Sequence, residues 1–113
     1  MKSLIKLMRT AIAPIPLDAN KTEHLSDVVV YDLTTLSYDK LKRSVRVKAS
    51  IVADTMEHAL EIENQLDEAL VTLGDNPLTD TVLSCTHTGG GWMNDGDRHI
   101  RIAYYEATIR GGN

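Results

Sequence analysis

Between Arg43 and Leu73 the spacing of apolar residues changes once, and that change constrains the fold more than any other feature of the sequence. From Arg43 to Asp54, Val45, Val47, Ala49, Ile51 and Ala53 alternate with Arg46, Lys48, Ser50 and Val52. This is the two-residue period of a strand with one face turned inward. Beyond Asp54 the period lengthens to about 3.6 residues. Ala59, Ile62, Leu66, Ala69, Leu70 and Leu73 then share one face of a helix, with Glu57, Glu61, Glu63, Asp67 and Glu68 largely elsewhere. Asp54 and Glu57 have the spacing of a capping box. Gly74, followed by Asp75-Asn76-Pro77, supplies a left-handed C-cap and a stop.

The flanking segments extend the pattern. Leu4, Ile5, Met8, Ala11 and Ile12 recur at helical spacing against Lys2, Lys6 and Arg9, and Pro14 and Pro16 end that helix. A connecting segment runs to about Ser26. The β-branched run from Asp27 to Leu36 reads as a strand that turns over Ser37 to Lys42 into the alternating one. Asp80 to Thr88 and Arg98 to Arg110 read as a second pair of strands. Between them Gly89-Gly90-Gly91-Trp92-Met93-Asn94-Asp95-Gly96-Asp97 is too rich in glycine to hold a shape by its own propensity and reads as a loop. The expected fold is α+β: a four-stranded, mainly antiparallel sheet with two helices on one face, in the order α-β-β-α-β-β. A chain of 113 residues suits one domain, 1–113, with one core.

Composition narrows the function. With 16 acidic and 12 basic residues and a net charge of −4, the chain lacks the basic footprint of a protein that neutralises many phosphates, so no direct nucleic-acid binding is expected. Lys6 and Arg9 interrupt any signal-peptide core, and no run of about 18 apolar residues offers a membrane span. The single Cys85 excludes an intramolecular disulfide and suits a reducing compartment.

Candidate chemistry is thin. Cys85 and His87, two apart on one strand, make half a zinc site that needs two further ligands, and an ordinary strand pair explains them as well. Cys85 as a nucleophile needs an adjacent base and an exposed, electropositive setting, whereas strand interiors bury cysteine. The acidic row of the second helix reads as a solvated face rather than a paired-carboxylate site. The glycine run has neither the Lys-Ser/Thr sequel nor the following helix of a phosphate-binding loop. No catalytic, metal or cofactor residue is assigned. Trp92 and Met93 stand out instead as large apolar side chains that either anchor an interface or fold back onto the sheet.

The helix at the N-terminus, the strand segment Val29-Val30-Tyr31, the strand leading into a capped helix, and the closing run Tyr104-Tyr105-Glu106-Ala107-Thr108-Ile109-Arg110 together resemble the small tail-terminator or tail-completion proteins of long-tailed bacteriophages. The resemblance implies a structural protein made in the host cytoplasm. It would form a homo-oligomeric ring, often a hexamer, that caps the tail tube at the virion's head–tail junction. Its partners would be further copies of itself, the major tail tube protein and the head connector proteins, with no cofactor and no membrane. Under that expectation Arg46 and Lys48 offer charge complementary to Glu61, Asp67 and Glu68 of a neighbour, while Trp92, Met93 and Asp95 become ordered on contact. The same element order also suits other phage connector components, or a small ligand-binding regulatory domain.

Overall fold

The alternating segment is the strand β3 (Lys42–Ala53), and its inward residues Val45, Val47, Ala49, Ile51 and Ala53 are fully buried. It belongs to a computed structural model that describes residues 2–19, 27–71, 79, 81–95 and 98–110. The other elements are α1 (Lys2–Ile12), β1 (Leu17–Asp18), β2 (Val28–Tyr38), α2 (Met56–Leu70), β4 (Val82–Asp95) and β5 (Arg98–Arg110).

The sheet has five strands in the order β1-β2-β3-β5-β4, which corrects the expected four-stranded, mainly antiparallel sheet. The additional strand β1 pairs parallel with β2, Leu17 opposite Val29 and Asp18 opposite Val30, so the sheet is mixed. It lies in the segment read as a connection. Two residues just past Pro14 and Pro16 carry no detectable period, yet Val29 N–H donates to the Pro16 carbonyl and Leu17 is buried. The remaining pairings are antiparallel.

The glycine run is the second correction. It is not a loop, because β4 continues through it, with Gly89 opposite Tyr104, Gly90 opposite Ala103 and Gly91 opposite Ile102. The ladder to β5 supplies the order that glycine's own propensity lacks. Residues 96–97 lie outside the described residues, as does the proposed C-cap Gly74.

Helix α2 starts one residue later than the capping box implied. Thr55 is the N-cap, and its Oγ1 accepts from His58 N–H at 3.1 Å. Asp54, displaced from that role, lies 3.6 Å from the Arg98 guanidinium. The helix ends at Leu70, where Val71 N–H donates to the Asp67 carbonyl. Its inward residues Ala59, Ile62, Leu66 and Leu70 join Leu4, Met8 and Ile12 of α1 over the inward face of the sheet. Both helices therefore share one core with β3 and β5. No helix among the described residues is long and apolar enough to cross a membrane.

Leu66 is fully buried at the centre of this layer. Leu66→Ala is expected to lower unfolding stability in urea by about 2–5 kcal/mol, and a loss under about 0.5 kcal/mol, the range of surface substitutions, would contradict this packing.

Candidate functional site

Three surface regions carry the side chains that packing alone does not explain. The first is a polar seam where α2 lies over β5 and β4. Met56, Leu60, Glu63 and Asp67 recur along one stripe of α2 at intervals of four, three and four residues. At the far end of that stripe Asp67 accepts a hydrogen bond of 2.6 Å from the Tyr105 hydroxyl. One turn earlier Glu63, a buried carboxylate, accepts from Arg101 Nε at 3.0 Å and lies 3.7 Å from His87 Nε2. The Arg101 guanidinium then stacks 5.2 Å from the Trp92 ring centre, on the neighbouring strand. Gly90 allows the crossing: a Cβ there would come within 2.6 Å of the Ile102 carbonyl oxygen and 3.2 Å of the Arg101 guanidinium.

The second region is the β2–β3 hairpin tip. Asp39 accepts from the backbone N–H groups of Leu41 and Lys42, both at 2.7 Å, and its own N–H donates to the Lys42 carbonyl. These hydrogen bonds, Lys42 first and then Leu41, lower the Asp39 carboxyl from its usual range. Arg43 lies over the Tyr38 ring at 5.1 Å. The tip is fixed, although Tyr38 is 65% and Leu41 74% exposed.

The third region is the sheet face turned away from the helices. Register places Asp32 beside Lys48 and Tyr104 there, and Thr34 beside Arg46 and Glu106. Near the far end Val52, Ile100 and Met93 share the same face.

The residues singled out from sequence fall into this geometry unevenly. Arg46 and Lys48 lie on the uncovered face, with acidic neighbours on adjoining strands. Glu61 and Glu68 are exposed on α2, whereas Asp67 is turned to Tyr105. Trp92 and Met93 are exposed on β4 rather than on a loop, and Trp92 carries the Arg101 stack as well. Asp95 is the last residue of β4. The sequence reading missed Glu63, Arg101 and Tyr105. One signal was available: Arg101 and Tyr105 occupy the inward register of β5, where a polar group needs a partner.

Cys85 is buried on the core face opposite Ala107. Burial, reinforced by the Asp67 charge, pushes its thiol up from 9.0 to about 12, so it lacks the thiolate that a nucleophile needs. His87 faces Glu63 and tilts against the Tyr105 ring at 5.1 Å. Among the described residues no group of three or more His, Cys, Asp or Glu is placed to hold a metal ion.

Two predictions follow from the seam. Glu63→Ala strands Arg101 and is expected to cost about 3 kcal/mol, with a shift in emission of the single Trp92. Replacing both partners with apolar residues, Glu63→Leu with Arg101→Met, should recover much of the loss in denaturant melts; no recovery would refute the pairing. The second concerns pH. Burial raises Tyr105 above its ordinary value too, and the hydrogen bond to Asp67 adds to the effect. Raised values in the folded state give stability that is complete below the unfolded thiol value and lost as pH climbs through the folded one. Tm is therefore expected to fall between pH 9 and 12, less steeply in Cys85→Ala, and Cys85 should react with a thiol reagent at pH 8 only after unfolding.

No family model and no curated protein matches the chain. Among solved structures the chain is similar to one in the structure titled "Virion of native gene transfer agent (GTA) particle". The TM-score is 0.66, covering 96% of this chain and 92% of the other at 14% identity. At that identity the likeness establishes a shared fold.

Proposed function

We propose that this protein is a structural component of a phage-like virion and, more finely, that it forms a ring at the head–tail junction, capping the tail tube and joining it to the head connector. The observation that carries the reading is the likeness to a chain of the gene transfer agent virion, which extends over nearly the whole of both chains. The placement of charge supports it. Arg46 and Lys48 lie on the sheet face, and Glu61 and Glu68 on the helix layer across the core. Surfaces of unlike charge on opposite sides of a subunit suit head-to-tail contacts, which close into rings when the rotation per subunit allows it, although Asp32 and Glu106 offset part of the positive charge on the sheet face.

In this reading the protein acts by shape and contact and requires no cofactor. Trp92 on the helix side of β4 and Met93 on its uncovered side, near the end of the strand at Asp95, each offer an apolar contact to a neighbouring ring or the tube. Aromatic and methionine side chains of this kind are enriched in protein interfaces.

The test is the solution mass of the purified protein across a concentration series, with negative-stain images of the heaviest fraction and co-sedimentation with assembled tail tubes. Closed rings, or capture at tube ends, are expected. A protein that is monomeric at all concentrations and ignores tail tubes would refute the proposal.

A further inference from the structure

The large apolar side chains that remain exposed among the described residues fall into two groups at opposite ends of the sheet. Leu36, Tyr38 and Leu41 sit at the β2–β3 hairpin tip; Met56, Leu60, Trp92 and Met93 sit at the other end. Register fixes the separation. Trp92 lies opposite Arg101, and Arg101 opposite Ile51, nine residues along β3 from Lys42 at the tip. At about 3.3 Å per residue that is roughly 30 Å. A fixed tip cannot reach the other end of its own sheet.

The two ends differ in charge as well as position. The tip carries Lys40, Lys42 and Arg43 around its apolar residues. At the other end Met56 and Leu60 continue the α2 stripe of Glu63, which Arg101 links to Trp92. Glu57 and Glu61, each next in sequence to a residue of that stripe, are exposed on the solvent side of α2. One surface is basic and apolar, the other acidic and apolar, and each has fixed side chains: the tip through the Asp39 turn, and the groove side, where α2 lies beside β4, through the Glu63–Arg101–Trp92 chain.

We propose that the hairpin tip of one subunit docks into the groove between α2 and β4 of a second copy of this chain. Leu41 and Tyr38 then lie against Leu60 and Trp92, and Lys40 and Lys42 face Glu57 and Glu61. The contact is heterologous, because tip and groove are different surfaces. It deepens the ring reading by naming the contact that would build the ring.

The test uses the full chain and mixes defective partners. Leu41→Asp spoils the tip and leaves the groove; Leu60→Asp does the reverse. Each alone is expected to raise the concentration at which assembly is half complete by at least about tenfold, the mark of a residue at the centre of an interface. Mixed one to one, they should form a dimer that grows no further, held by the one intact tip and the one intact groove. Lys40→Glu with Lys42→Glu should also block assembly, and Glu57→Lys with Glu61→Lys in the partner should restore it. As a readout independent of mass, Trp92 emission should change with concentration in the unaltered protein and stay constant in Leu41→Asp. Circular dichroism checks that each variant is folded.

Cross-linking tests the docking in the absence of a tail tube. In a Cys85→Ala background, Leu41→Cys and Leu60→Cys on separate chains should join by a disulfide at millimolar concentration when a thiol oxidant is added to take up the two electrons. Rings that persist in Leu41→Asp would overturn the docking and leave the ring reading standing. Tip-to-groove dimers that never associate with tail tubes would leave the docking standing and remove the head–tail assignment. Absence of both assembly and cross-link would overturn the docking outright.

Discussion

Everything else in the molecule is arranged around the ladder between β3 and β5. It runs without a register shift from Lys42 opposite Arg110 to Ala53 opposite His99, although the two strands are far apart in sequence. The outer pairings contain shifts, between Thr35 and Ser37 on one side and at Val82/Ser84 and His87/Gly89 on the other. An unbroken centre with irregular flanks lets the inner face present the aligned rows of Val45, Val47, Ala49 and Ile51 beside Ala103, Tyr105, Ala107 and Ile109. Those rows are what the helices cover, and apart from Tyr105 their small and β-branched side chains let α2 lie close. The length of the ladder also keeps the hairpin tip away from the Trp92 end.

The same ladder explains why the core turns polar at one border. Arg101 and Tyr105 hold inward positions of β5 that an apolar residue would normally fill. Asp67 and Glu63 on the α2 stripe answer them, so the buried charge is paired rather than stranded. Burying such a pair adds little net stability over an apolar replacement, but it fixes orientation, since only one helix rotation satisfies both hydrogen bonds. Gly90 belongs to the same device, because any larger residue would obstruct the path of Arg101 to the Trp92 ring. The seam thus determines how α2 is rotated and which of its side chains reach the surface.

How much of this was legible depended on whether a residue's role was local. The alternation of β3 and the apolar stripe of α2 stood out because burial on one face imposes a period on the sequence itself. β1 left no mark, since two residues cannot display a period and their partner lies at Val29 and Val30. The glycine run was misread for a related reason: its strand geometry comes from hydrogen bonds to β5, while its composition speaks only of intrinsic freedom. Glu63 and Asp67 looked like members of a solvated acidic row, and nothing nearby in the sequence distinguishes them from Glu61. Their difference comes from Arg101 and Tyr105, some forty positions on. The turn from Ser37 to Lys42 was legible but its closure was not, because Asp39 reads as a generic turn residue until its two backbone donors are seen.

Association costs the ordering of whatever was free beforehand, so surfaces already fixed in the monomer bind with the smaller loss. The hairpin tip is closed by Asp39 and by the Arg43–Tyr38 stack, and the Trp92 corner by a carboxylate–guanidinium–indole chain. Neither surface needs to refold to meet a partner. Their chemistry also decides orientation. Tip against tip would set Lys40, Lys42 and Arg43 against their own copies, and groove against groove would do the same with Glu57 and Glu61, so both symmetric pairings carry repulsion that the head-to-tail pairing lacks. A subunit whose two attractive surfaces are different, rigid and far apart can use each of them once. Chains built from such subunits grow in one direction until the rotation per subunit brings the first tip to the last groove, and the subunit's geometry then sets the size of the ring.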